Sequence, residues 1–261
     1  MSANPTVGLV LSGGGARGIA HIGVIDALRE HSIEATLISG SSSGAIVGAL
    51  AAAGHTTATM LEFFERASPF RLSMVTLRKA GIIDTARAMA NFREYFPDDS
   101  FEALKVRLFL TATDIINARL TVFESGPLIP AIVASCSMPL VFTPTEIDGR
   151  WYVDGGVINN FPIEPLRGRC DVLIGHYASP MRTVKQADLN GAFSVSERAL
   201  EVAMYFASKP KFHECDVFLS SPQLSHFSMF DTRNHEAIFD IGRRTTLAAM
   251  DSIRRALEAL R

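Results

Sequence analysis

The chain has 261 residues, of which 48% are apolar and 20% are charged, a balance typical of a globular protein with a well-filled core. The formal net charge is −2 and no basic run with interleaved aromatic residues occurs, so nucleic-acid binding is not expected. The three cysteines, Cys136, Cys170 and Cys215, are widely spaced and odd in number. This pattern favours reduced thiols in a cytoplasmic protein over a disulfide framework or a zinc site.

Neither the N-terminus nor the most apolar stretch predicts a signal peptide or a membrane span. The first residues, MSANPTVGLVLSGGG, contain no basic region and only a short apolar run. The stretch GAIVGALAAAG at 44–54 has 11 residues, whereas a spanning helix needs about 20. We therefore expect a buried helix at 44–54, and we expect any contact with a membrane to be peripheral.

The first 54 residues alternate between strand and helix patterns. In chain order we predict a strand over Val7–Leu11, a glycine turn, a helix over 17–31, a strand over 35–38 and, after a serine-rich turn, the 44–54 helix. This β-α-β-α order predicts an α/β fold in which a mainly parallel central sheet carries helices on both faces.

Later segments extend the same sheet and add helices. Strands are predicted at 106–114, 119–123, 171–179 and 216–221, and helices at 127–136, 193–208 and 234–260. The sequence TEIDGRWYV at 145–153 predicts a hairpin that turns on Asp148-Gly149. Because no internal repeat or linker interrupts the pattern, we predict a single domain over residues 1–261.

Three glycines after the first strand, Gly13, Gly15 and Gly18, match G-x-G-x-x-G, the pattern that holds dinucleotide phosphates at the start of a helix. The second strand, however, ends in a Ser-Gly pair instead of the acidic residue that a ribose requires, and Glu34 lies at its opposite end. No G-K-[ST] follows, so a P-loop is excluded. A dinucleotide site, another anion site and plain packing stay open on this motif alone.

Arg17 is an unusual residue for the first turn of a helix. The helix dipole disfavours a cation there by some tenths of a kcal/mol, so an acidic residue is the ordinary choice. An arginine beside bunched glycine N–H groups indicates a loop that meets negative charge. The alternative is an arginine that simply points into water.

The segment LISGSSSGAI at 37–46 raises the question of which serine is functional. Only Ser42 has a glycine two residues before it, Gly40, and two residues after it, Gly44. G-x-S-x-G between a strand and a helix is the nucleophile elbow, in which small flanking residues allow a sharp bend. We therefore predict Ser42 as the nucleophile, with Ser41 and Ser43 as small spacers.

A nucleophilic serine needs a base, and histidine and aspartate are the candidate residue types for that role. None of the histidines follows a pattern typical of a catalytic residue, and each is expected to be structural or solvent-facing; they are His21, His31, His55, His176, His213, His226 and His235. Asp154 ends the hairpin and precedes Gly155 and Gly156. Asp148-Gly149 already supplies the turn of the hairpin. Asp154 therefore belongs either to a second turn or to a functional site, and its local sequence does not decide between the two.

Together these motifs resemble those of the patatin-like phospholipase family, in its small stand-alone bacterial form. G-G-G-x-R-G at 13–18 is similar to the family's oxyanion-hole motif, G-x-S-x-G at 40–44 to its elbow, and D-G-G at 154–156 to its D-G-[AG] motif. ASCSMP at 134–139 resembles its A-S-x-A-x-P motif, with Ser137 in place of alanine, and NNFP at 159–162 also fits. The resemblance covers residues 8–162 and implies a three-layer patatin-like α/β fold.

The resemblance also implies a Ser–Asp dyad that works without histidine. Ser42 would attack an ester carbonyl while Asp154 accepts its proton. The backbone N–H groups of the glycine loop would form the oxyanion hole, with Arg17 fixing the loop; the residues implied are Gly13, Gly14, Gly15 and Arg17, beside the elbow and motif glycines Gly18, Gly40, Gly44, Gly155 and Gly156. The implied substrates are phospholipids, lysophospholipids or related acyl esters, and no metal or cofactor is expected.

Three other functions stay open beside this one. The same dyad would serve a thioesterase or a general carboxylesterase. A lipid-binding regulatory protein with weak activity is a second alternative, and a nucleotide-binding protein is a third. The sequence does not indicate the oligomeric state.

The segment 56–100 is helical in pattern and unusually apolar. One hypothesis is a flap over the site that binds acyl chains or rests on a membrane surface, through Phe63, Phe64, Phe70 and Leu72. Ordinary packing of helices is the alternative.

Overall fold

The computed structural model describes residues 5–66, 92–229, 231 and 233–259. Its strands are β1 (Val7–Leu11), β2 (Leu37–Ser41), β3 (Arg107–Asp114), β4 (Arg119–Phe123), β5 (Thr145–Ile147), β6 (Arg150–Asp154), β7 (Val172–His176) and β8 (Val217–Leu219). Its helices are α1 (Ile19–Glu30), α2 (Ser43–Ala53), α3 (Thr57–Arg66), α4 (Leu128–Ser135), α5 (Gly156–Asn159), α6 (Ala192–Ser208), α7 (His235–Ala248) and α8 (Met250–Glu258).

The strands form one sheet in the order β5-β6-β3-β2-β1-β7-β8, with β4 paired to β3. The pairs from β3 through β2, β1 and β7 to β8 are parallel, whereas β4, β5 and β6 join antiparallel. Every residue of β1, β2 and β7 is buried. A strand buried on both faces needs cover on both, so the prediction of a mainly parallel sheet between helical layers is confirmed.

Several predicted boundaries differ from the structure, those of β2 and of the closing helix among them. β2 begins at Leu37 instead of residue 35. It continues to Ser41 instead of ending at 38, because Gly40 and Ser41 are still paired with Leu110 and Thr111 of β3. The closing helix is two helices separated by Ala249, whose φ of −95° and ψ of 1° interrupt the helical geometry. The predicted hairpin at 145–153 is confirmed, and Asp148 and Gly149 both have positive φ, 50° and 72°.

Helix α3 corrects the flap hypothesis for the residues that the structure describes. Phe63 and Phe64 are 0% and 1% exposed and belong to the main hydrophobic core. The Phe63 ring lies 5.1 Å from the rings of both Phe92 and Tyr95. These side chains therefore pack inside the protein. Phe70 and Leu72 lie outside the described residues.

No helix within the described ranges is both long enough and apolar enough to span a membrane. In the same ranges, no three His, Cys, Asp or Glu side chains lie in a group that could hold a metal ion. Cys136, Cys170 and Cys215 are all free thiols.

Candidate active site

Ser42 lies at the bend between β2 and α2 in a strained conformation, with a φ of 54° and a ψ of −125°. Backbone strain of this kind is concentrated at functional sites. The bend needs glycines on both sides, because a side-chain carbon at Gly40 would lie 2.5 Å from the Gly44 carbonyl oxygen, and one at Gly44 would lie 2.2 Å from the Leu11 carbonyl oxygen. The local geometry is therefore that of the elbow predicted from the sequence.

The three consecutive serines have different surroundings. The Oγ atoms of Ser41 and Ser43 are buried and have no hydrogen-bond partner among the described residues. They pack against Gly155 and Gly18, where a larger residue would clash. Ser42 Oγ, by contrast, donates a hydrogen bond to Asp154 Oδ2 at 2.6 Å.

Strand β3 brings Asp154 to Ser42 across 112 residues of sequence. Ser41 pairs with Thr111, and Asp154 pairs with the next residue, Ala112. The carboxylate is fixed from its other side, because the Gly156 N–H donates to Asp154 Oδ1 at 2.7 Å. Both oxygens of Asp154 thus have a donor, and one donor is the serine hydroxyl.

Burial raises the pKa of Asp154 from 3.8 to about 6, although its hydrogen bonds from Ser42 and Gly156 act in the opposite direction. The side chain is only 4% exposed, so the ionised carboxylate loses most of its hydration. A carboxylate with a pKa near 6 is a considerably better proton acceptor at neutral pH than an ordinary aspartate.

The glycine loop lies beside Ser42. The Gly13 N–H donates to the Asn160 carbonyl oxygen at 3.1 Å, so this donor is already occupied, in contrast to the role implied for it. The N–H groups of Gly14 and Gly15 have no acceptor in the part of the chain that the structure describes. Gly15 has a φ of +60°, which favours glycine. Two free donors therefore remain on the loop.

Arg17 is 1% exposed, so the alternative of an arginine in water is excluded. Its Nε donates to the Gly14 carbonyl oxygen at 3.3 Å, and its Nη1 lies 3.3 Å from Glu201 Oε1. Glu201, on α6, also pairs with Arg198 at 2.7 Å and with Arg182 at 3.5 Å. The negative charge that Arg17 meets is thus a protein carboxylate, and through Gly14 the side chain ties the glycine loop to α6.

Two buried histidines lie under the start of the loop. His21 Nε2 donates to the Ser12 carbonyl oxygen at 2.8 Å, which leaves His21 Nδ1 to accept from His176 Nδ1 at 2.6 Å. Burial lowers the pKa of His21 to about 4 and lowers the pKa of His176 as well. His176 Nε2 has no partner among the described residues, and the hydrogen bonds of the two rings join them to each other and to Ser12, whereas Ser42 Oγ donates to Asp154. Both histidines therefore have structural contacts.

A cleft with an empty volume of about 470 Å³, its open mouth included, lies above Ser42 and Asp154. Gly14 and Arg17 contribute to one side. Its apolar wall consists of Met138, Pro139, Val157, Leu200, Met204 and Met229. The cleft therefore places a largely apolar space directly over the serine hydroxyl.

Sequence reasoning missed several residues of this site. Ser135 Oγ accepts the Ser42 N–H at 3.0 Å, and Asn160, Ser179 and Glu201 line the cleft. Ser135 and Asn160 lie inside the quoted motifs ASCSMP and NNFP, which would have been a usable signal. Ser179 and Glu201 lie far along the chain and carry no comparable signal.

The fold and the site together define an α/β protein with a buried serine–carboxylate pair at a strand–helix bend. A family model described as patatin-like phospholipase matches residues 9–167, more than half of the chain. The chain belongs to the patatin-like phospholipase family. This family match supports the assignment of the protein as a lipid-ester hydrolase.

Relatives agree with this assignment. An uncharacterized NTE family protein of Mycobacterium tuberculosis is 38% identical over 169 residues, which cover 64% of this chain and 47% of the relative. Lysophospholipase NTE1 of Scheffersomyces stipitis is 30% identical over 175 residues, which cover 63% of this chain and 11% of the yeast protein. The chain thus matches about half of one relative and about a tenth of the other.

Among solved structures, VipD from Legionella pneumophila has a TM-score of 0.54 at 15% identity, over 96% of this chain and 67% of VipD. At this identity the likeness concerns the fold alone. It supports the patatin-like three-layer architecture expected from the motifs.

Proposed function

We propose that the protein is a serine lipid acyl hydrolase that cleaves phospholipids, lysophospholipids or related acyl esters. The observation that carries this proposal is the 2.6 Å hydrogen bond from the hydroxyl of a strained, elbow-placed Ser42 to the buried carboxylate of Asp154. A nucleophile within hydrogen-bond reach of its base is the arrangement that covalent catalysis requires.

In the proposed first step, Ser42 Oγ attacks the ester carbonyl carbon and its proton passes to Asp154 Oδ2. The carbonyl π electrons move to the oxygen, which the free N–H groups of Gly14 and Gly15 stabilise. When the tetrahedral intermediate collapses, the bond from carbon to the alcohol oxygen breaks and Asp154 returns the proton to the leaving alcohol. Water then repeats the same proton transfers on the acyl-enzyme and releases the fatty acid.

The position of Ser42 supports this role of its hydroxyl. Serine at a helix N-cap ordinarily accepts a backbone N–H of the first turn, but no such side-chain bond forms here. The hydroxyl is instead directed to Asp154. The N-terminus of α2 then lies beside the attacking oxygen, where the helix dipole favours negative charge.

The apolar wall of the cleft supports an acyl chain as the bound group, since methionine, leucine and proline side chains offer it little hydrogen bonding. The name of the yeast relative, a lysophospholipase, points to the same substrate class. Thioesterase or general carboxylesterase activity on the same dyad, and a lipid-binding role with weak activity, are the alternatives that a substrate comparison would separate.

Fluorophosphonate labelling of the pure protein, with the adduct located by mass spectrometry, tests the nucleophile. We expect one adduct on Ser42, absent from Ser42→Ala and retained in the matched controls Ser41→Ala and Ser43→Ala, whose hydroxyls have no partner among the described residues. Turnover is then compared on lysophosphatidylcholine, a long-chain thioester and p-nitrophenyl butyrate. A folded wild-type protein that takes no label would contradict the proposed mechanism, and a preference for the thioester would favour that alternative.

A further inference from the structure

The carbonyl oxygen of Gly13 accepts an unusual number of side-chain hydrogen bonds. Ser12 Oγ and Ser179 Oγ each donate to it at 3.0 Å, and Asn160 Nδ2 lies 3.4 Å away. A carbonyl oxygen has two lone pairs, so the two serine hydroxyls alone satisfy it. Ser179 is the donor from the distant part of the chain, three residues after the end of β7.

Both hydroxyl protons are directed to this carbonyl. Ser12 Oγ accepts the Ala178 N–H at 2.8 Å, which orients the hydroxyl and leaves its single proton for Gly13. For Ser179 Oγ, the Gly13 carbonyl is the acceptor found among the described residues. The segment Ala178–Ser179 therefore holds the Gly13 carbonyl through one direct and one relayed hydrogen bond.

Because the peptide bond is planar, fixing the Gly13 carbonyl also fixes the direction of the Gly14 N–H at the cleft. In a planar trans peptide, the carbonyl of one residue and the N–H of the next point in opposite directions. When the Gly13 carbonyl is drawn toward Ser12 and Ser179, the Gly14 N–H is turned to the opposite side. That N–H has no acceptor in the described part of the chain, Gly14 lines the cleft, and a side-chain carbon at Gly13 would lie 3.0 Å from Ser42 Cβ.

We propose that Ser179 is a positioning residue that, together with Ser12, fixes the Gly13–Gly14 peptide so that the Gly14 N–H faces the oxyanion. This inference rests on the proposed function and extends it to a residue outside the matched family region, which ends at 167. Hydrogen bonds to the carbonyl also polarise the peptide and make its N–H a stronger donor. Ser179 thus acts through the peptide and does not contact the reacting atoms.

Removing this hydroxyl should affect the rate more than binding. Loss of a whole oxyanion donor lowers kcat by about 100- to 1,000-fold. Ser179→Ala leaves the donor present but less firmly held, so we expect kcat on p-nitrophenyl butyrate to fall about 10-fold with KM nearly unchanged. Ser179→Thr, which keeps the hydroxyl, should retain most of the activity. Ser220→Ala is the matched control, because Ser220 Oγ also donates to a backbone carbonyl, that of Tyr177, at 3.0 Å.

An NMR experiment observes the peptide directly. With glycine labelled by 13C and 15N, a correlation of each amide with the preceding carbonyl shows only glycines that follow glycine: Gly14, Gly15 and Gly156. The Gly14 cross peak reports the Gly13 carbonyl and the Gly14 N–H together. A second spectrum correlates each amide with its own carbonyl and so distinguishes Gly14 from Gly15. The Gly14 carbonyl appears with the Gly15 amide in the first spectrum and with the Gly14 amide in the second.

We expect Ser179→Ala to shift the Gly13 carbonyl resonance upfield and to reduce the downfield shift of the Gly14 proton on phosphonylation of Ser42, whereas Ser220→Ala changes neither. Unchanged resonances and unchanged kcat in Ser179→Ala, with wild-type Ser42 labelled, would overturn the positioning role alone. A wild type that resists labelling while its carbonyl still responds to Ser179→Ala would overturn the proposed function. It would leave the hydrogen bond a structural contact only.

Discussion

Asp154→Asn should abolish turnover and, at the same time, raise the free energy of unfolding at neutral pH. Asparagine keeps an oxygen for the Gly156 N–H and presents an amide N–H₂ to Ser42 Oγ, so both contacts of the aspartate have a replacement. What the variant removes is the buried negative charge, and with it the base.

The magnitude follows from the pKa of Asp154, which rises from 3.8 to about 6 on folding because of burial. Each pKa unit corresponds to about 1.36 kcal/mol, so the ionised carboxylate costs the folded state about 3 kcal/mol. Below pH 3.8 both states bind the proton and the cost is absent. As pH rises toward 6 the unfolded chain ionises first, so the cost grows across that window and is constant above it.

The assay is urea unfolding of wild type and variant at pH 5 and pH 8. We expect the stabilisation gained by removing the charge to be about 1.5 kcal/mol at pH 5 and about 3 kcal/mol at pH 8. Asp171→Asn is the control, and it should lower the free energy of unfolding at pH 8 instead of raising it. Hydrogen bonds from Thr6 lower the pKa of that aspartate, so its charge stabilises the folded state. A difference between wild type and Asp154→Asn that does not change with pH would refute the reasoning.

Three further outcomes follow from the same structure. The pH profile of kcat/KM should lose activity on the acid side with a midpoint near 6, because protonated Asp154 accepts no proton; a midpoint near 4 would contradict the buried base. Glu201→Gln should lower the free energy of unfolding by about 3 kcal/mol, since it leaves the buried guanidinium of Arg17 without its carboxylate. Glu62 is the control: its side chain is 46% exposed and pairs with Arg66 at the surface, so Glu62→Gln should leave the free energy of unfolding nearly unchanged in the same assay. Phe63→Ala should destabilise by about 3–5 kcal/mol and reduce turnover of short and long acyl chains alike; a loss confined to long chains would restore the flap hypothesis.

Local sequence patterns were sufficient for the parts of the site that local geometry determines. The elbow at Ser42 needs small neighbours within two residues, and the hairpin needs positive φ at Asp148 and Gly149, so the residue types themselves indicate the bend. The Asp-Gly-Gly that is surplus to the hairpin turn makes Asp154 a candidate, and the family resemblance supplies its role as the base. Its proximity to Ser42, however, depends on the pairing of two strands with β3.

Contacts between distant segments were not predictable in this way. Arg17 and Glu201 are 184 residues apart, and nothing around Glu201 indicates that it faces inward. The pairing of His21 with His176 likewise depends on how α1 packs against the end of β7. The sequence leaves Phe63 open between a flap and ordinary packing for a related reason: apolar spacing indicates an amphipathic helix, and the same spacing serves a core-facing helix and a surface flap.

The register of β3 has a consequence for how the protein matures. Because Thr111 and Ala112 hold the strands that carry Ser42 and Asp154, the hydroxyl and the carboxylate can meet only after both strands have docked on β3. Partly assembled chains, even with β2 and α2 formed, hold a serine without its base. The recovery of reactivity toward a fluorophosphonate during refolding therefore reports when the sheet is complete. It should occur later than the recovery of the helical circular dichroism signal.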